Sequence, residues 1–479
     1  MKRLAWYDLI TINLFWLALN IRNNAFGSLF MPYLVDEFVR SDVRNTALGA
    51  MRTAGLVIAM LVQPATGLLS DRNTSRFGRR RPYIFVGALL DLLFLGAIAL
   101  SWNYVSLLIA VLLIQVSSNI SHGPLQALIP DLVPEDQRGR ASAVKAIMEL
   151  LPLILLAFTV ARLMGAGMLD WAIFVTGAAE LVILILTMIF VKEEPLLVKP
   201  DVPFKPTMLR VLGMLAGILV GGVAGLVGGG ILGGMAGWIA ASFGSTLLGW
   251  EVGLGVGGLA AMAIGVVSGV WAGSLATLGQ AAKKESAFIW WVTNRLMFLS
   301  AITSIQSFAP FFLMYAFNID RNEAAQTTGN LMMVVGIFTL VTALPSGWLA
   351  DRFGHGRLVA ASGIIAAIGT TVLLTTIWVP NMNVIVVAGI ILGLATGLFT
   401  TANWAMGTAL VPPEEAGRYL GISNLAGAGA GMIGAGIGGP LADQMNQYLP
   451  GLGYFAIFAC YAFLFLGSVF TLRGVKKQA

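Results

Sequence analysis

Charge is what this sequence lacks most. Only 11% of its 479 residues are Asp, Glu, Lys or Arg, while 57% are hydrophobic; an ordinary soluble domain carries roughly 25% charge. So few charges cannot coat a soluble particle of this size. That excludes a soluble enzyme, a nucleic-acid binder and a secreted disulfide scaffold. Cysteine is almost absent: Cys460 alone permits neither an internal disulfide nor a thiolate metal cluster. His122 and His355 are the two histidines, too few for a His-based metal site, and no cofactor is expected. No G-x-x-x-x-G-K-[S/T] loop occurs, so the chain holds no ATP motor of its own. The net charge of +6 reads as basic loops rather than as a site for an acidic partner.

Long apolar runs are what the sequence has instead. They predict fourteen helices, near 7–35, 45–69, 82–101, 104–128, 141–164, 169–191, 209–243, 250–279, 287–316, 325–349, 358–378, 383–410, 418–442 and 453–473. Within lipid the backbone must satisfy itself, so runs of this length are helical and the fold class is an all-α polytopic membrane protein. Lys2 and Arg3 precede the first run, which continues to about Leu34 without a small-residue cleavage site and reads as a span, not a signal peptide. Placing both termini in the cytoplasm puts 21 of the 29 Lys and Arg on the inner side and leaves Arg40, Arg44 and Arg321 outside. Arg22, Arg52, Lys145, Arg162 and Arg295 lie in spans or at their ends. The compact loops and short tails suggest a bacterial inner membrane, a form of plasma membrane.

Two motifs occur twice. Gly67-Leu-Leu-Ser-Asp71-Arg72 followed by Phe77-Gly78-Arg79-Arg80-Arg81 matches Gly347-Trp-Leu-Ala-Asp351-Arg352 followed by Phe353-Gly354-His355-Gly356-Arg357. Leu132-Val133-Pro134 through Gly139-Arg140 matches Leu410-Val411-Pro412 through Gly417-Arg418. Each copy follows the second or the fourth helix of a six-helix unit. The chain therefore divides into a six-helix bundle over 1–193, a cytoplasmic linker over 194–208, an inserted glycine-rich transmembrane hairpin over 209–280 and a second six-helix bundle over 281–479. Gly67 and Gly347 are expected to admit a close backbone approach. Asp71, Arg72, Gly78, Arg79, Arg80, Asp351, Arg352 and Arg357 form a candidate cytoplasmic gate, unless the arginines merely anchor topology against anionic headgroups.

These motifs resemble the major facilitator superfamily, whose best-known marker is the loop after its second helix. Ser70-Asp71-Arg72-x-x-Ser75-x-x-Gly78-Arg79-Arg80-Arg81-Pro82 and Gly123-Pro124-x-x-Ala127-Leu128-x-x-Asp131-Leu132 resemble, more narrowly, its sucrose-transporter and glycoside–pentoside–hexuronide branch. The resemblance covers about 1–193 and 283–479. It implies two pseudo-symmetric bundles, a sugar or glycoside substrate and a coupling proton. It also implies an aspartate on the fourth helix in plant sucrose transporters, where this chain has Gln115.

Polar residues within spans are functional candidates because they are costly there. Asn20, Arg22, Asn23 and Asn24 in the first run cannot all face lipid. Arg22 reads as a substrate contact or as the partner of an acidic residue on a neighbouring helix. Lys145 and Glu149 share a helix face at i,i+4; they neutralise each other, or Glu149, the deeper of the two, carries a proton. Glu180 reads as the counter-ion of Arg22 or as a second protonatable group, with Asp91 a weaker candidate. Asn119, His122 and Gln126 on the fourth span, Asn294, Arg295 and Gln306 on 287–316, and Asn403 and Trp404 on 383–410 complete the candidate substrate-binding set. Trp16 and Trp404 read as stacking platforms for a sugar ring or as interface tryptophans, and Arg295 as a snorkelling cation.

Residues 209–279 hold glycines at four-residue spacing, among them Gly213, Gly217, Gly221, Gly225, Gly229, Gly233 and Gly237, which let two helices meet backbone to backbone. A second cluster, Gly427 to Gly439, suits either bending or tight static packing. Gly253-x-Gly255-x-x-Gly258 follows no soluble strand and is no dinucleotide site. The expectation is a secondary active transporter working by alternating access, monomeric, with a small-molecule substrate, a coupling proton and lipid as partners and no nucleic acid. An exporter of amphipathic compounds, or a scaffold holding pigment or lipid, is the alternative.

Overall fold

The computed structural model describes residues 3–196, 204–279, 282, 286–410 and 416–476. Helices dominate these residues, in the order expected. We number them α1 (Trp6–Ala25, a π-turn over Phe26–Phe30, then Met31–Phe38), α2 (Arg44–Asp71), α3 (Arg81–Ala99), α4 (Tyr104–Leu132) and α5 (Arg138–Phe158 and Val160–Gly165). Then follow α6 (Leu169–Phe190), α7 (Phe204–Phe243), α8 (Thr246–Leu278), α9 (Ser286–Phe317), α10 (Arg321–Phe353), α11 (His355–Leu374), α12 (Met382–Ala409), α13 (Ala416–Asn446) and α14 (Leu452–Lys476). Among the described residues, twelve of these helices are long and apolar enough to cross a membrane by length and composition alone; α1 and α13 complete the fourteen. The protein is an integral membrane protein of two six-helix repeats with an inserted helical hairpin.

Short polar signals set the helix ends. The Asn103 side chain accepts from Ser106 N at 2.8 Å, and the Ser106 hydroxyl closes the reciprocal bond at the start of α4. Asn381 caps α12 and Ser245 caps α8 in the same manner. Pro82 occupies the first turn of α3, where its missing N–H costs nothing. Inside the spans, Thr176, Thr187, Thr293 and Asn13 donate to the carbonyl four residues earlier, which satisfies polar groups that have no water to meet.

The chain forms two compact units: Met1–Phe38, Val57–Val211 and Arg321–Gly336 in one, and Val39–Leu56, Leu212–Asp320 and Ile337–Ala479 in the other. Unit 1 thus holds the start of α10. There Tyr33 donates to Asn322 Oδ1 at 2.8 Å, and Arg321 lies 3.6 Å from Glu37 and over the Tyr33 ring. A Cβ on Gly329 or Gly336 would collide with Ala161 or Leu153 of α5. Unit 2 holds the start of α2. Asp443 of α13 accepts from Asn45 Nδ2 at 2.7 Å and from Thr46 N at 2.7 Å, an anion placed at a helix N-terminus.

The hairpin belongs mostly to unit 2. Gly217, Gly221 and Gly225 of α7 lie directly on the backbone of Gly273, Gly269 and Gly265 of α8, and Gly229, Gly233 and Gly237 continue the seam down to Gly249. α8 then packs on α9, α13 and α14 of the second repeat. In α13 the glycines meet different neighbours: Gly434 sits on Ser300 and Ser304, Gly436 on Thr53, Gly438 on Tyr461 and Gly439 on the Asn45 carbonyl. Tight packing accounts for these four without a bend. The hairpin and α13 also bound an apolar groove of about 640 Å³, with Trp238 and Trp250 at the hairpin's turn.

Because the α7–α8 seam has no room for a side chain, Gly221→Leu should lower stability by about 2 kcal/mol, the scale of overpacking a close contact. Gly230→Leu, where an added Cβ meets nothing within 4 Å, should leave it unchanged. Thermal unfolding of the detergent-solubilised variants checks the pair.

Candidate functional site

Unit 1 contains a charged cluster sealed from solvent. Arg22 on α1, Asp91 on α3 and Glu180 on α6 are each at most 1% exposed. Arg22 Nη2 lies 3.3 Å from Asp91 Oδ2, and Arg22 Nε lies 3.9 Å from Glu180 Oε2. Two serines of α4 complete the shell: Ser118 accepts from Arg22 Nη2, and Ser117 donates to Asp91 Oδ1. The π-turn Phe26–Phe30 follows Arg22 by one turn, a local break in helical regularity of the kind found at functional sites.

A second, more open set lies beside it. The Lys145 ammonium sits 4.0 Å from the centre of the Trp16 ring, and His122 meets the edge of that ring at 5.3 Å. His122 Nε2 and Gln126 Nε2 are 3.3 Å apart. Lys145 and Glu149 pair at 3.4 Å with side chains 30% and 37% exposed. Glu149 is thus slightly more exposed than Lys145, and the two stand as an ion pair. Trp16 is only 3% exposed, so it offers no open platform.

The other candidates of this unit divide by exposure. Asn20 and Asn24 spend their amides on the carbonyls of Trp16 and Asn20. Asn119 is buried and bonds the Gln115 carbonyl. Asn23 is exposed.

In unit 2, Asn294 and Asn403 are fully buried and bonded to each other at 2.8 Å, and Asn294 also donates to the Ser468 carbonyl. They tie α9 to α12 and α14, and little of either is left for a ligand. Arg295 does not snorkel away: its Nη1 lies 3.4 Å from Asn403 Oδ1, and its guanidinium lies over the Trp404 ring at 5.1 Å. Arg295, Gln306 and the 38% exposed Trp404 are the accessible candidates.

The loop after α2 folds into a bonded cluster. Arg80, 4% exposed, pairs with Asp71, lies 2.9 Å from Asp131 and donates to the Ser70 hydroxyl at 2.6 Å. Arg79 also pairs with Asp131. Glu193 accepts the backbone N–H of Arg80 and Arg81 at the start of α3, and burial pushes its carboxyl above the ordinary glutamate range. Gly78 adopts φ +98° and its absent Cβ makes way for Glu193, so glycine is required twice over. Gly354, its counterpart in the second repeat, adopts φ +89°.

The second copy is otherwise different. Asp351, Arg352 and Arg357 are exposed. Arg352 lies over Trp348 and Phe353, and Asp351 makes no ion pair among the described residues. The repeated Pro412 segment falls at 411–415, outside the described residues. A Cβ on Gly67 or Gly347 would itself meet nothing within 4 Å, but the backbone N of Gly67 lies 3.0 Å from where a Cβ on Gly123 of α4 would stand. Sequence reasoning missed Glu193, and it undervalued Asp91 and Asp131. Asp131 stood inside a quoted motif; a lone carboxylate in an apolar run was the only signal for Asp91.

A profile of the Major Facilitator Superfamily matches residues 291–478, and one described as MFS/sugar transport protein matches residues 14–216. A sucrose transport protein of Arabidopsis thaliana is 32% identical over 127 residues, 23% of this chain and 24% of that protein. Proton-associated sugar transporter A of Homo sapiens is 34% identical over 107 residues, 19% and 14% of the two chains. The aligned stretches thus span about a quarter or less of these relatives. A solved D-xylose–proton symporter superposes with a TM-score of 0.66 over 98% of both chains at 16% identity. A peptide transporter does so at 0.66 over 100% of this chain and 96% of its own, at 15% identity. Both likenesses concern the fold.

Asp131 is the only described carboxylate that holds Arg79 and Arg80 together. Asp131→Asn should therefore destabilise the protein by about 2 kcal/mol, leaving charge poorly compensated. Asp351→Asn, at the exposed counterpart of Asp71, should not shift the unfolding midpoint. Thermal unfolding in detergent reads both.

Proposed function

The chain belongs to the major facilitator superfamily, and we propose that it is a proton-coupled symporter of a sugar or glycoside, working by alternating access of its two repeats. The observation that carries the reading is the local similarity to sucrose transport proteins and to a proton-associated sugar transporter. A profile described as MFS/sugar transport protein matches residues 14–216. The chemistry agrees. Each repeat offers accessible polar groups within its spans: Asn23, His122, Gln126, Lys145 and Glu149 in the first, Arg295, Gln306 and Trp404 in the second. Such groups suit a hydroxyl-rich solute, which needs donors, acceptors and an aromatic face in place of lost water.

The excess of Lys and Arg in the loops supports both termini lying on the cytoplasmic side, and the membrane is read as a bacterial inner membrane. The Asp71–Arg80–Asp131 cluster then lies on the inner rim, where it holds the ends of α2, α3 and α4 as one piece. Arg72, Asp351, Arg352 and Arg357 are the remaining gate candidates on that rim. A second reading, a scaffold that holds a lipid or pigment, rests on the apolar groove beside the hairpin. A purified protein that moves no solute but carries one lipid or pigment per chain would favour it.

Purified protein in liposomes with an alkaline interior should accumulate radiolabelled sucrose or an α-glucoside, and an uncoupler should abolish the accumulation. No uptake of either class of sugar under the gradient would overturn the symport reading. Trp404→Ala should raise the half-saturating sugar concentration about fivefold, the worth of one aromatic contact, with a smaller effect on the maximal rate.

A further inference from the structure

We propose that Asp91 and Glu180 share a single proton beside Arg22, and that this buried carboxyl pair is the proton-binding site of the chain. The inference rests on the symport reading only for what the proton is used for; the shared proton itself stands on geometry.

Charge counting comes first. One guanidinium and two carboxyl groups occupy a space in which all three residues are at most 1% exposed. With both carboxyls ionised, the cluster carries one negative charge that nothing in it balances. A buried uncompensated charge is far costlier than a neutral acid, so the site closes on a proton. With one proton bound, the cluster is a guanidinium, a carboxylate and a carboxylic acid, and its sum is zero.

The hydrogen bonds agree with that count. Asp91 Oδ1 is served by Ser117. Asp91 Oδ2 and both oxygens of Glu180 are buried and, among the described residues, accept no hydrogen bond. Buried acceptors without donors are rare. Both carboxyls converge on the same guanidinium, Asp91 Oδ2 at 3.3 Å and Glu180 Oε2 at 3.9 Å, and two carboxyl acceptors brought together in this way bond to each other only when one of them holds a proton. A proton on Glu180 supplies the missing donor and satisfies one orphaned oxygen on each side.

The surroundings offer no substitute cation. α1 contributes Arg22; α3 and α6 contribute Asp91 and Glu180. α4 contributes the neutral Ser117 and Ser118 and, one turn on, His122. From α5, Lys145 is held by Trp16 and Glu149. Glu149 already has that cation and is 37% exposed, so it lacks both conditions that make Glu180 hold a proton. Arg22 is the switchable element: it contacts Ser118, Asp91 and Glu180 at once, so any shift of α1 against α3 and α6 alters which carboxyl it stabilises and hence how firmly the proton is held.

The test has two arms. In the first, infrared spectra of the purified full chain at neutral pH are compared in H2O and D2O. The wild type should show the C=O band of a buried protonated carboxyl, sensitive to the exchange. Glu180→Gln and Asp91→Asn should each abolish it, because the remaining carboxyl faces Arg22 alone and ionises. Glu149→Gln should retain it. A wild type without the band, or a band that survives both single substitutions, overturns the proposal; the wild-type spectrum decides even where a variant fails to fold.

In the second arm, liposomes carry a gradient of one pH unit. The wild type should concentrate sugar about tenfold if one proton moves with each sugar, and Glu180→Gln should concentrate none while still showing sugar counterflow. Full accumulation by Glu180→Gln overturns the assignment of the site. A wild type that moves no sugar strikes the symport reading instead, and the infrared arm still decides whether the proton is there.

Discussion

A polar group inside hydrocarbon has no water to meet, and this constraint orders the molecule. The threonines of α6 and Asn13 of α1 turn back to their own helices; Asn294 and Asn403 turn to each other and to Ser468. Arg22 is the extreme case, a guanidinium at 1% exposure that draws groups from α3, α4 and α6 around it. No helix of the first repeat that contributes to this cluster can be moved without changing the balance of charge in it. The same constraint forbids loops within lipid, which is why fourteen helices and short capped turns exhaust the described chain.

Where polar groups are scarce, backbone approach replaces them. Helices in lipid gain little from burying leucine against leucine, so association relies on close contact of small residues. The α7–α8 seam is nearly pure glycine, and α13 uses single glycines against different partners. The two clusters look alike in the sequence and do different things. The first welds a hairpin along its length; the second lets one helix fit between several neighbours. The apolar groove is the residue of this arrangement, since glycines that face away from the seam leave space that no side chain fills.

The number, order and ends of the helices were legible because the signals are strong: hydrophobic length, Asn and Ser caps, a proline in a first turn. The repeat was legible too, but not that its Gly78 and Gly354 are both left-handed, at φ +98° and +89°. The site was only partly so. Spacing put Lys145 and Glu149 on one face, and they pair as that spacing requires. Spacing could not say how exposed each of them is, or that Trp16 has the Lys145 ammonium on its face. Asp91 and Glu180 come from helices far apart in sequence, so their meeting at Arg22 is a matter of packing. The close approach expected at Gly67 is made through Gly123, whose missing Cβ leaves room for the α2 backbone, while Gly347 has open space around it.

The asymmetry between the repeats and the placement of the charged cluster bear on one another. The first repeat carries the folded arginine cluster on its rim and the sealed triad in its interior; the second carries an exposed copy of the rim motif and an amide pair, Asn294 with Asn403, in its interior. Amides do not titrate. On the proposed symport reading, the proton is therefore assigned to the carboxyl pair of the first repeat rather than to this amide pair. There the fourth helix has Gln115 where the resemblance implies an aspartate. On the proposed reading, the carboxyls of α3 and α6 that converge on Arg22, bridged to α4 through Ser117 and Ser118, take the part of the acid that α4 lacks. The rim cluster ties the ends of α2, α3 and α4 into one body. An acid on α3 thus rides with the same rigid piece as an acid on α4 would, while its counter-ion rides on α1, whose π-turn next to Arg22 is the one irregular point in that helix. The proposed arrangement would keep what coupling needs: a proton on one element and the charge that competes for it on another.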